Sequence, residues 1–521
     1  MRKNNRCRLG ILAVLFLAGS EASAQNLQLL EATIDDVHRA FSAGQLTCRA
    51  LVEFYLDRIE AYDDSDPGLN AIQSVNGQAL EIADQLDAAF DASGLVGPLH
   101  CVPVLLKDQV ETSDMPTTYG SAVFTGFVSG RDATIVTRMK QAGAIILAKT
   151  NMGEFAFGYV GSAFGLVRNA YDPTRIPSGS SAGTGAGIAA NFGLVGIGED
   201  TGGSIRGPAA VHSLVGLRPT VPLVSRFGMM PATPTNDTLG PVTRTVTDAA
   251  ILLDVLAGYD PNDPVTGYSV GQVPESYRSF LDEAGLRGAR IGVIRQPMDP
   301  RSDPESDDYK QVWAVIDRAV ADLAAAGAEV VDPLKVPLIE LVDAAYAANT
   351  FETEQAMNGY LETLPHAPVS SLRQILLTGK VAPSRATSLM GFVGHSVEDN
   401  AYLDIVLTRE KIRQAVLTAM ADAQVDALVY ATLDHKTTAI PPDALTTPER
   451  DNEYGRGNSR RLSPLIGFPA ITVPAGFTAD GIPVGLELLG RSFTEGMLLR
   501  FAYAYERATQ RHRPPATTPR L

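Results

Sequence analysis

Cysteine and histidine are scarce in this sequence, which argues against a metal centre and against a disulfide framework. The 521 residues include three cysteines and seven scattered histidines, without the spacing of a zinc site, so no metal site is expected. Beyond the first 25 residues only Cys48 and Cys101 remain. If the chain is exported to an oxidising compartment, a disulfide between them is permitted. One pair in so long a chain is not a framework, however, and we expect buried free thiols.

Basic residues are also in short supply. The chain has 43 Lys and Arg against 59 Asp and Glu, a net charge of −16. Nucleic acids and anionic membrane surfaces require a basic face, so both are excluded as main partners. Hydrophobic residues make up 45% of the chain and charged residues 20%, which is typical of a globular protein. At about 150 residues per domain, length alone would suggest three domains.

No apolar run is long enough to cross a membrane in a single helix. The N-terminal run Leu9–Gly19 has eleven residues, too few for a hydrocarbon core of about 30 Å. Basic residues precede it, and small residues follow it up to Ala24. This layout predicts a secretory signal peptide over residues 1–24. No cysteine follows the run, so a lipoprotein is not indicated. We therefore expect an exported protein, periplasmic or secreted, that does not associate with membranes once the signal is removed.

After the signal, short apolar segments alternate with helical ones. Thr47 is placed to cap a helix that runs to Tyr62 with apolar residues at helical spacing. This alternation predicts an α/β fold with one central, mixed and twisted sheet flanked by helices. Residues 296–430 look like a helical elaboration of that domain, and 513–521 like a loose tail. The predicted strands are 102–106, 144–148, 194–198, 291–294, 426–431, 470–474 and 483–489.

Two Gly/Ser clusters, 178–183 and 201–204, mark the region that can carry chemistry. Glycine allows unusual backbone angles and close approach of main-chain N–H groups to a ligand. The consecutive N–H groups of Thr201, Gly202, Gly203 and Ser204 are therefore candidates to bind an oxyanion. Upstream, Lys107 ends the apolar strand 102–106, and a lysine carried into a core in this way is unusual.

Three simpler interpretations of these clusters fit less well. A phosphate-binding loop is not supported, because GxxxxGK[ST] is missing and GIGEDTGG does not match GxGxxG. A lipase-type nucleophile elbow around Ser181 would have to follow an apolar strand directly, whereas the polar segment DPTRIPS precedes it. Tight helix–sheet packing explains AGTGAGIAA, but not two serine clusters together with a lysine in the core.

The motifs resemble those of the amidase signature family. SGSSAG (178–183), GEDTGGSIRGPA (198–209) and GPLHCVPVLLKD (97–108) are similar to the family's GGSSGG, GTDTGGSIRxPA and GPLHGIPxxxKD. Segments 149–155, 215–220, 237–250 and 467–490 also fit. The resemblance covers about residues 30–510, so one catalytic domain over 25–512 replaces the three that length suggests. The family motifs have glycine at three positions where this chain has Ser178, Ala182 and Cys101. The shape of the loops near the expected substrate pocket is therefore not predicted.

The resemblance implies a serine amidase that hydrolyses a linear carboxylic amide to an acid and ammonia or an amine, without a cofactor. Residue by residue, it implies Ser204 as nucleophile, Ser180 as the bridging serine in a cis-peptide loop, and Lys107 as base. A serine hydroxyl needs such a base, and burial beside apolar neighbours would lower the pKa of a lysine enough to provide one. Asp200 and Arg206 flank the nucleophile loop, either as residues that orient it or as a surface ion pair.

The motifs do not decide to which branch of the family the chain is most similar, and the substrate depends on the branch. One alternative is the glutaminase subunit of a tRNA-dependent amidotransferase, a cytoplasmic protein with partner chains. The leader argues against it, and its RRIMLG-like segment is not visible. Segments 344–376 and 491–515 look more similar to the peptide-amidase branch. A non-catalytic binding protein on the same scaffold would lack a triad member, and all three are present. The oligomeric state is open, and four aromatic residues are candidates for the acyl pocket or for plain core: Phe155, Phe157, Tyr159 and Phe164.

Overall fold

The computed structural model describes residues 29–448 and 459–521 of the chain. The predicted signal peptide lies outside these residues. Within them, no helix has both the length and the apolar character that crossing a membrane requires.

Helices and strands alternate along the whole described chain. The strands are β1 Ile72–Val75, β2 Pro103–Lys107, β3 Ile145–Thr150, β4 Val160–Gly161, β5 Gly165–Leu166, β6 Val195–Glu199, β7 Val215–Arg218, β8 Leu239–Thr243, β9 Arg290–Val293, β10 Glu329–Val331, β11 Ala427–Ala431, β12 Ala470–Phe477 and β13 Pro483–Leu489. The helices are α1 Ile34–Ser42, α2 Cys48–Tyr62, α3 Ala79–Ser93, α4 Thr134–Gln141, α5 Ala182–Ala189, α6 Arg206–Ala210, α7 Val246–Leu256, α8 Asp307–Ala325, α9 Val342–Ala345, α10 Asn349–Glu362, α11 Leu372–Leu377, α12 Pro383–Met390, α13 Asn400–Asp422, α14 Leu462–Ile466 and α15 Glu495–Thr509.

A single mixed sheet organises the domain. Its eleven strands in the described part of the chain run in the order β1-β3-β2-β6-β8-β7-β12-β13-β11-β9-β10, while β4 and β5 form a separate small hairpin. Strands β3, β2 and β6 are parallel to one another, as are β10, β9 and β11. The pairs between these two groups are antiparallel. The predicted α/β domain around one central mixed sheet is thereby confirmed.

The local signals in the sequence correspond to observed elements. Thr47 caps α2, its hydroxyl accepting a hydrogen bond from the N–H of Ala50 at 3.1 Å. All seven predicted strands are present, as β2, β3, β6, β9, β11, β12 and β13. Four further strands of the sheet, β1, β7, β8 and β10, were not predicted. Three of these four have only three or four residues. The fourth, β8, contains Gly240 and Pro241, which are unusual inside a strand and weaken its sequence pattern.

The parallel strands β2 and β6 bring two charged residues to the same edge of the sheet. Leu106 of β2 is paired with Ile197 of β6, so Lys107 and Glu199 end their strands at the same edge of the sheet. In open α/β sheets the carboxyl ends of parallel strands are where ligands bind. The predicted core-directed lysine therefore lies at the edge where a site is expected.

Helices of the predicted elaboration, residues 296–430, form a wall beside that edge. An apolar cluster packs α10, α11 and α12 against the segment around Phe124 and Phe155. Met357, Leu372 and Leu389 are among the buried helical contributions to this cluster. Helix α8 instead packs on β12 and β13. Helices α10, α11 and α12 thus lie beside the strand ends, and α8 covers another part of the same sheet.

The C-terminal segment 513–521 is not the loose tail that its composition suggested. The fully buried Arg58 donates hydrogen bonds from its guanidinium to the carbonyls of Thr518 and Pro519, at 2.8 and 2.9 Å. Thr517 donates to the carbonyl of Ala170, and Arg513 lies over the ring of Phe477. The prolines prevent a helix but leave carbonyl acceptors, and a buried arginine uses them.

The expectation of free thiols at Cys48 and Cys101 was wrong. The two residues form a disulfide that joins the first turn of α2 to the segment leading into β2, with 5.6 Å between their Cα atoms. Both are fully buried. A count of cysteines cannot detect this bond, because the pairing depends on a contact between residues 53 positions apart.

Removal of this disulfide is expected to destabilise the protein. Closing a loop of this length restricts the unfolded chain, so the Cys48→Ser/Cys101→Ser variant should lose about 2–4 kcal/mol of unfolding free energy. Urea denaturation monitored with and without reductant measures the loss. The reductant should lower the midpoint of the wild type and leave the double variant unchanged. Equal midpoints, together with two reactive thiols in the denatured wild type, would contradict the bond.

Candidate active site

Lys107 and Ser180 are in direct contact in the interior of the domain. The Lys107 Nζ atom donates to the Ser180 hydroxyl at 2.7 Å, and neither residue is exposed to solvent. Ser180 follows a cis peptide bond from Gly179 in the loop before α5. That loop passes so close to the chain that a Cβ atom on Gly179 would lie 1.9 Å from the Gly158 carbonyl oxygen. Only glycine fits there.

The neighbouring Ser181 has a different environment. Its hydroxyl donates to the carbonyl of Glu199 and accepts from the N–H of the same residue, both at 3.2 Å. It therefore fastens the loop to the end of β6. This placement does not resemble a nucleophile elbow, in which the serine hydroxyl is exposed towards the substrate.

Two residues that replace glycine in the family motifs keep a glycine-like backbone. Ser178 has φ of 61° and Cys101 has φ of 57°, both in the left-handed region. Ser178 accepts a hydrogen bond from Arg460 at 2.7 Å, and Cys101 is held by its disulfide. The third replacement, Ala182, is the first residue of α5 and is buried. Local contacts thus hold conformations that glycine would adopt without strain.

Ser204 lies on the turn between β6 and α6 and faces a cavity together with Thr201 and Gly202. Gly203 has φ of 112°, and a Cβ atom there would lie 2.5 Å from Arg460. The Gly203 N–H donates to Asp200 at 2.7 Å, so it is already engaged by a carboxylate. The prediction of four oxyanion donors is corrected in this respect. Thr201, Gly202 and Ser204 are the candidates that this geometry leaves.

Asp200 holds the turn through a buried ionic network rather than a surface ion pair. Its carboxylate accepts from Arg206 Nε at 3.1 Å and from Arg218 Nη1 at 3.2 Å, and all three side chains are fully buried. It also accepts from the N–H of Ile205. Burial alone would raise the pKa of Asp200, but the two arginine charges outweigh it and hold the pKa well below the usual range. The network is completed by Glu487, which pairs with Arg206 and accepts from the Tyr430 hydroxyl.

Glu199 is a site residue that the sequence analysis missed. Its Oε2 atom lies 2.8 Å from Lys107 Nζ, and its Oε1 atom accepts from the Thr201 hydroxyl at 2.6 Å. Burial lowers the pKa of Lys107, although the charge of Glu199 acts in the opposite direction. Burial raises the pKa of Glu199 to about 7, against the charge of Lys107. The sequence could have indicated Glu199, because it is a charged residue at the end of an apolar strand and the family motif has threonine at this position.

The cavity in front of Ser204 is lined by aromatic and basic side chains. Of the four predicted aromatics, Phe155 and Phe157 line it, whereas Tyr159 belongs to the main core and Phe164 is half-buried elsewhere. Phe155 and Ala156 have φ of 49° and 63°, a strained backbone of the kind that concentrates at functional sites. The predicted elaboration and the segment after it contribute Tyr346, Asn349, Thr353, Arg385, Phe392 and Arg461.

The arrangement contains the parts of an acyl-transfer site. A buried lysine contacts one serine, and a second serine faces a cavity together with Thr201 and Gly202 of the same turn. The described residues include no cluster of three or more His, Cys, Asp or Glu that could hold a metal ion.

Comparison with known proteins assigns the family. The Amidase family profile matches residues 50–499. A probable amidase of Arabidopsis thaliana is 32% identical over 534 residues, covering 96% of this chain and 95% of that protein. The A-type subunit of the glutamyl-tRNA(Gln) amidotransferase of Symbiobacterium thermophilum is 34% identical over 506 residues, covering 92% and 98%.

Solved structures agree with this assignment. The native peptide amidase from Stenotrophomonas maltophilia superposes with a TM-score of 0.85 at 34% identity, covering 95% of this chain and all of that one. An amidase family protein from Bacillus anthracis gives 0.82 at 30% identity, covering 94% and 92%. The chain therefore belongs to the amidase family, and it is a hydrolase that acts on amide bonds.

Proposed function

We propose that the hydrolysis proceeds through an acyl-enzyme on Ser204, with Ser180 and Lys107 moving the proton. The observation that carries this proposal is the 2.7 Å hydrogen bond between Lys107 Nζ and Ser180. The same Nζ atom lies 3.4 Å from the carbonyl of Glu199, at the start of the turn that carries Ser204. Lysine, bridging serine and nucleophile turn thus meet at one edge of the sheet.

The chemical steps follow from these positions. As Ser204 Oγ attacks the amide carbonyl, its proton passes to Ser180, which gives its own proton to Lys107. The N–H groups of Thr201, Gly202 and Ser204 stabilise the tetrahedral oxyanion, where the loss of one donor costs about 3 kcal/mol. The proton returns to the departing nitrogen, which leaves as ammonia or an amine. Water then attacks the ester on Ser204 by the reverse relay and releases the acid.

Substitutions in the relay should separate Ser180 from its neighbour Ser181. Ser204→Ala, Ser180→Ala and Lys107→Ala should each lower kcat/KM by at least about a thousandfold, because the three groups act as one unit. Ser181→Ala is the matched control and should lose far less activity, since among the described residues its hydroxyl bonds to the backbone of Glu199 and to no group of the relay. Losses below tenfold in Ser204→Ala or Lys107→Ala would contradict the assignment.

A fluorophosphonate probe tests the same assignment without knowledge of the substrate. An activated Ser204 should be labelled, and Ser204→Ala should not. A protein that only binds ligands on this scaffold would remain unlabelled, so the probe also decides against the binding-protein alternative.

For the substrate, we propose a small-molecule or peptide amide, with C-terminal peptide amides as the first candidate. The similarity to a peptide amidase supports this class, as do the sequence segments 344–376 and 491–515. Part of segment 344–376 lies on the cavity wall, through Tyr346, Asn349 and Thr353. Relatives named as subunits of a glutamyl-tRNA(Gln) amidotransferase make glutamine the second candidate, with partner chains in that case.

Ammonia release from a panel of amides distinguishes these candidates. The purified chain should release ammonia from C-terminal peptide amides or simple aryl amides, and Ser204→Ala should abolish the release. Glutamine should be hydrolysed at least tenfold more slowly. Release that is confined to glutamine and increases when the partner chains of an amidotransferase are added would favour the amidotransferase role.

We further propose that the enzyme is exported, to the periplasm or the medium. The basic, apolar and small-residue segments of residues 1–24 support this. The disulfide between Cys48 and Cys101 supports it independently, because structural disulfides persist in oxidising compartments.

Expression of the full chain in a Gram-negative host tests the export. The mature protein should be recovered from the periplasm or the medium and should begin at Gln25, as read by N-terminal sequencing. Deletion of residues 2–24 should retain the protein in the cytoplasm, with both thiols reactive once it is denatured. A full-length, cytoplasmic product with an intact N-terminus would contradict the proposal.

A further inference from the structure

Glu199 is connected to the relay on both sides of its carboxylate. Oε2 lies 2.8 Å from Lys107 Nζ, and Oε1 accepts from Thr201, which lines the cavity beside Ser204. The side chain has no exposed surface. The atoms Ser180 Oγ, Lys107 Nζ and Glu199 Oε2 thus form a continuous hydrogen-bonded series, in which the carboxylate is one step further from the substrate than the lysine.

This placement conflicts with a lysine that acts alone. A base must have a free electron pair, and a lysine at 2.8 Å from a carboxylate is favoured in its ammonium form. An ammonium group cannot take a proton from Ser180 unless it releases another one. The carboxylate that favours the ammonium form is also the group within reach of such a proton.

The other charges around Glu199 do not neutralise it. Asp237, in the segment before β8, raises the pKa of Glu199. Arg218 of β7 also interacts with Glu199, but Arg218 is already paired with Asp200. Asp200 and Asp237 also act on Lys107. Lys107 is therefore the direct partner of Glu199, and together they form a net neutral pair when they share one proton.

Building on the proposed serine mechanism, we infer that Glu199 is a positioning residue that holds the transferred proton behind Lys107. When Ser204 attacks, its O–H bond breaks and an O–H bond forms on Ser180. The former Ser180 proton forms a new N–H bond on Lys107, and one N–H bond of the ammonium breaks as Glu199 Oε2 is protonated. The reverse sequence supplies the proton to the departing amine, so that no charge or proton is left over.

The protonation of Glu199 at neutral pH is chemically accessible. Burial raises the pKa of this carboxyl to about 7, because the charged form loses its hydration. The carboxyl therefore releases its proton near neutral pH, and the ionised form that results can receive one during the attack. Below that pH both members of the pair are protonated and the relay is blocked.

Removal of the Glu199 carboxyl should move the pH profile of the rate in one direction. In the wild type the acid limb of the rate profile should reflect the carboxyl, with a midpoint near pH 7. Glu199→Gln cannot hold the proton, so Lys107 must itself be neutral before the attack. The loss of the Glu199 charge lowers the pKa of Lys107, but the charges of Asp200 and Asp237 still raise it. Since an ammonium releases its proton less readily than a carboxyl, the acid limb should still move to higher pH by about one unit or more. The rate at pH 7 then falls about tenfold or more and recovers in alkaline solution.

The test measures the rate of Ser204 labelling by a fluorophosphonate against pH, together with kcat/KM for an amide that the panel identifies. Glu199→Thr, which restores the family residue, should give the same alkaline shift and serves if the glutamine variant does not fold. Glu495→Gln is the matched control. It removes another fully buried carboxylate, which accepts from the Thr220 N–H outside the site, and it should leave the profile unchanged.

Each outcome has one meaning. A shift of the acid limb to higher pH supports the inference. A shift to lower pH would show that Glu199 only raises the pKa of Lys107, and an unchanged profile would show that it only fills space, so either result overturns it. Labelling of Ser204→Ala at the wild-type rate would instead overturn the serine mechanism itself. If Ser204→Ala is inert while Glu199→Gln keeps the wild-type profile, the inference alone fails.

Discussion

The burial of a lysine at the end of a core strand is the constraint on which the rest of the site depends. An ion removed from water must be paired, or it loses its charge. Here Glu199, the last residue of β6, pairs with the lysine, and the next residue, Asp200, pairs with two buried arginines. Neighbouring side chains of extended backbone point to opposite sides, so Glu199 contacts Lys107 while Asp200 contacts Arg206 and Arg218. One dipeptide thus contacts the lysine of the proposed relay on one side and fixes the turn that carries Ser204 on the other.

The sheet makes this arrangement rigid. Parallel pairing of β2 with β6 sets the lysine and the acidic pair at one edge, and the loop before α5 is tied to β6 through Ser181. The disulfide secures the approach to β2 from the other end. The groups of the proposed relay are therefore carried by strand ends and by hydrogen-bonded turns, which can hold the short distances that proton transfer requires.

The sequence predicts what is local or written in contiguous motifs. The capped helix at Thr47, the long strands and the three family motifs are such features, and the structure contains them. It does not predict contacts between distant residues. The bond between Cys48 and Cys101, the docking of Thr518 on Arg58 and the pairing of Glu199 with Lys107, 92 positions away, all arise from tertiary packing. The engagement of the Gly203 N–H by Asp200 likewise depends on turn geometry, which residue types alone leave open.

The division between strand ends and helical elaboration also separates chemistry from specificity. Lys107, Ser180 and Glu199 are fully buried at the strand ends, whereas much of the cavity wall comes from residues after position 345, such as Tyr346 and Arg385. The wall packs through its own apolar cluster rather than through the ionic network. We therefore expect that substitutions in the wall change which amide is accepted and leave the proposed relay unaltered. In this chain the boundary runs between the turn that carries Ser204 and the helices that line the cavity.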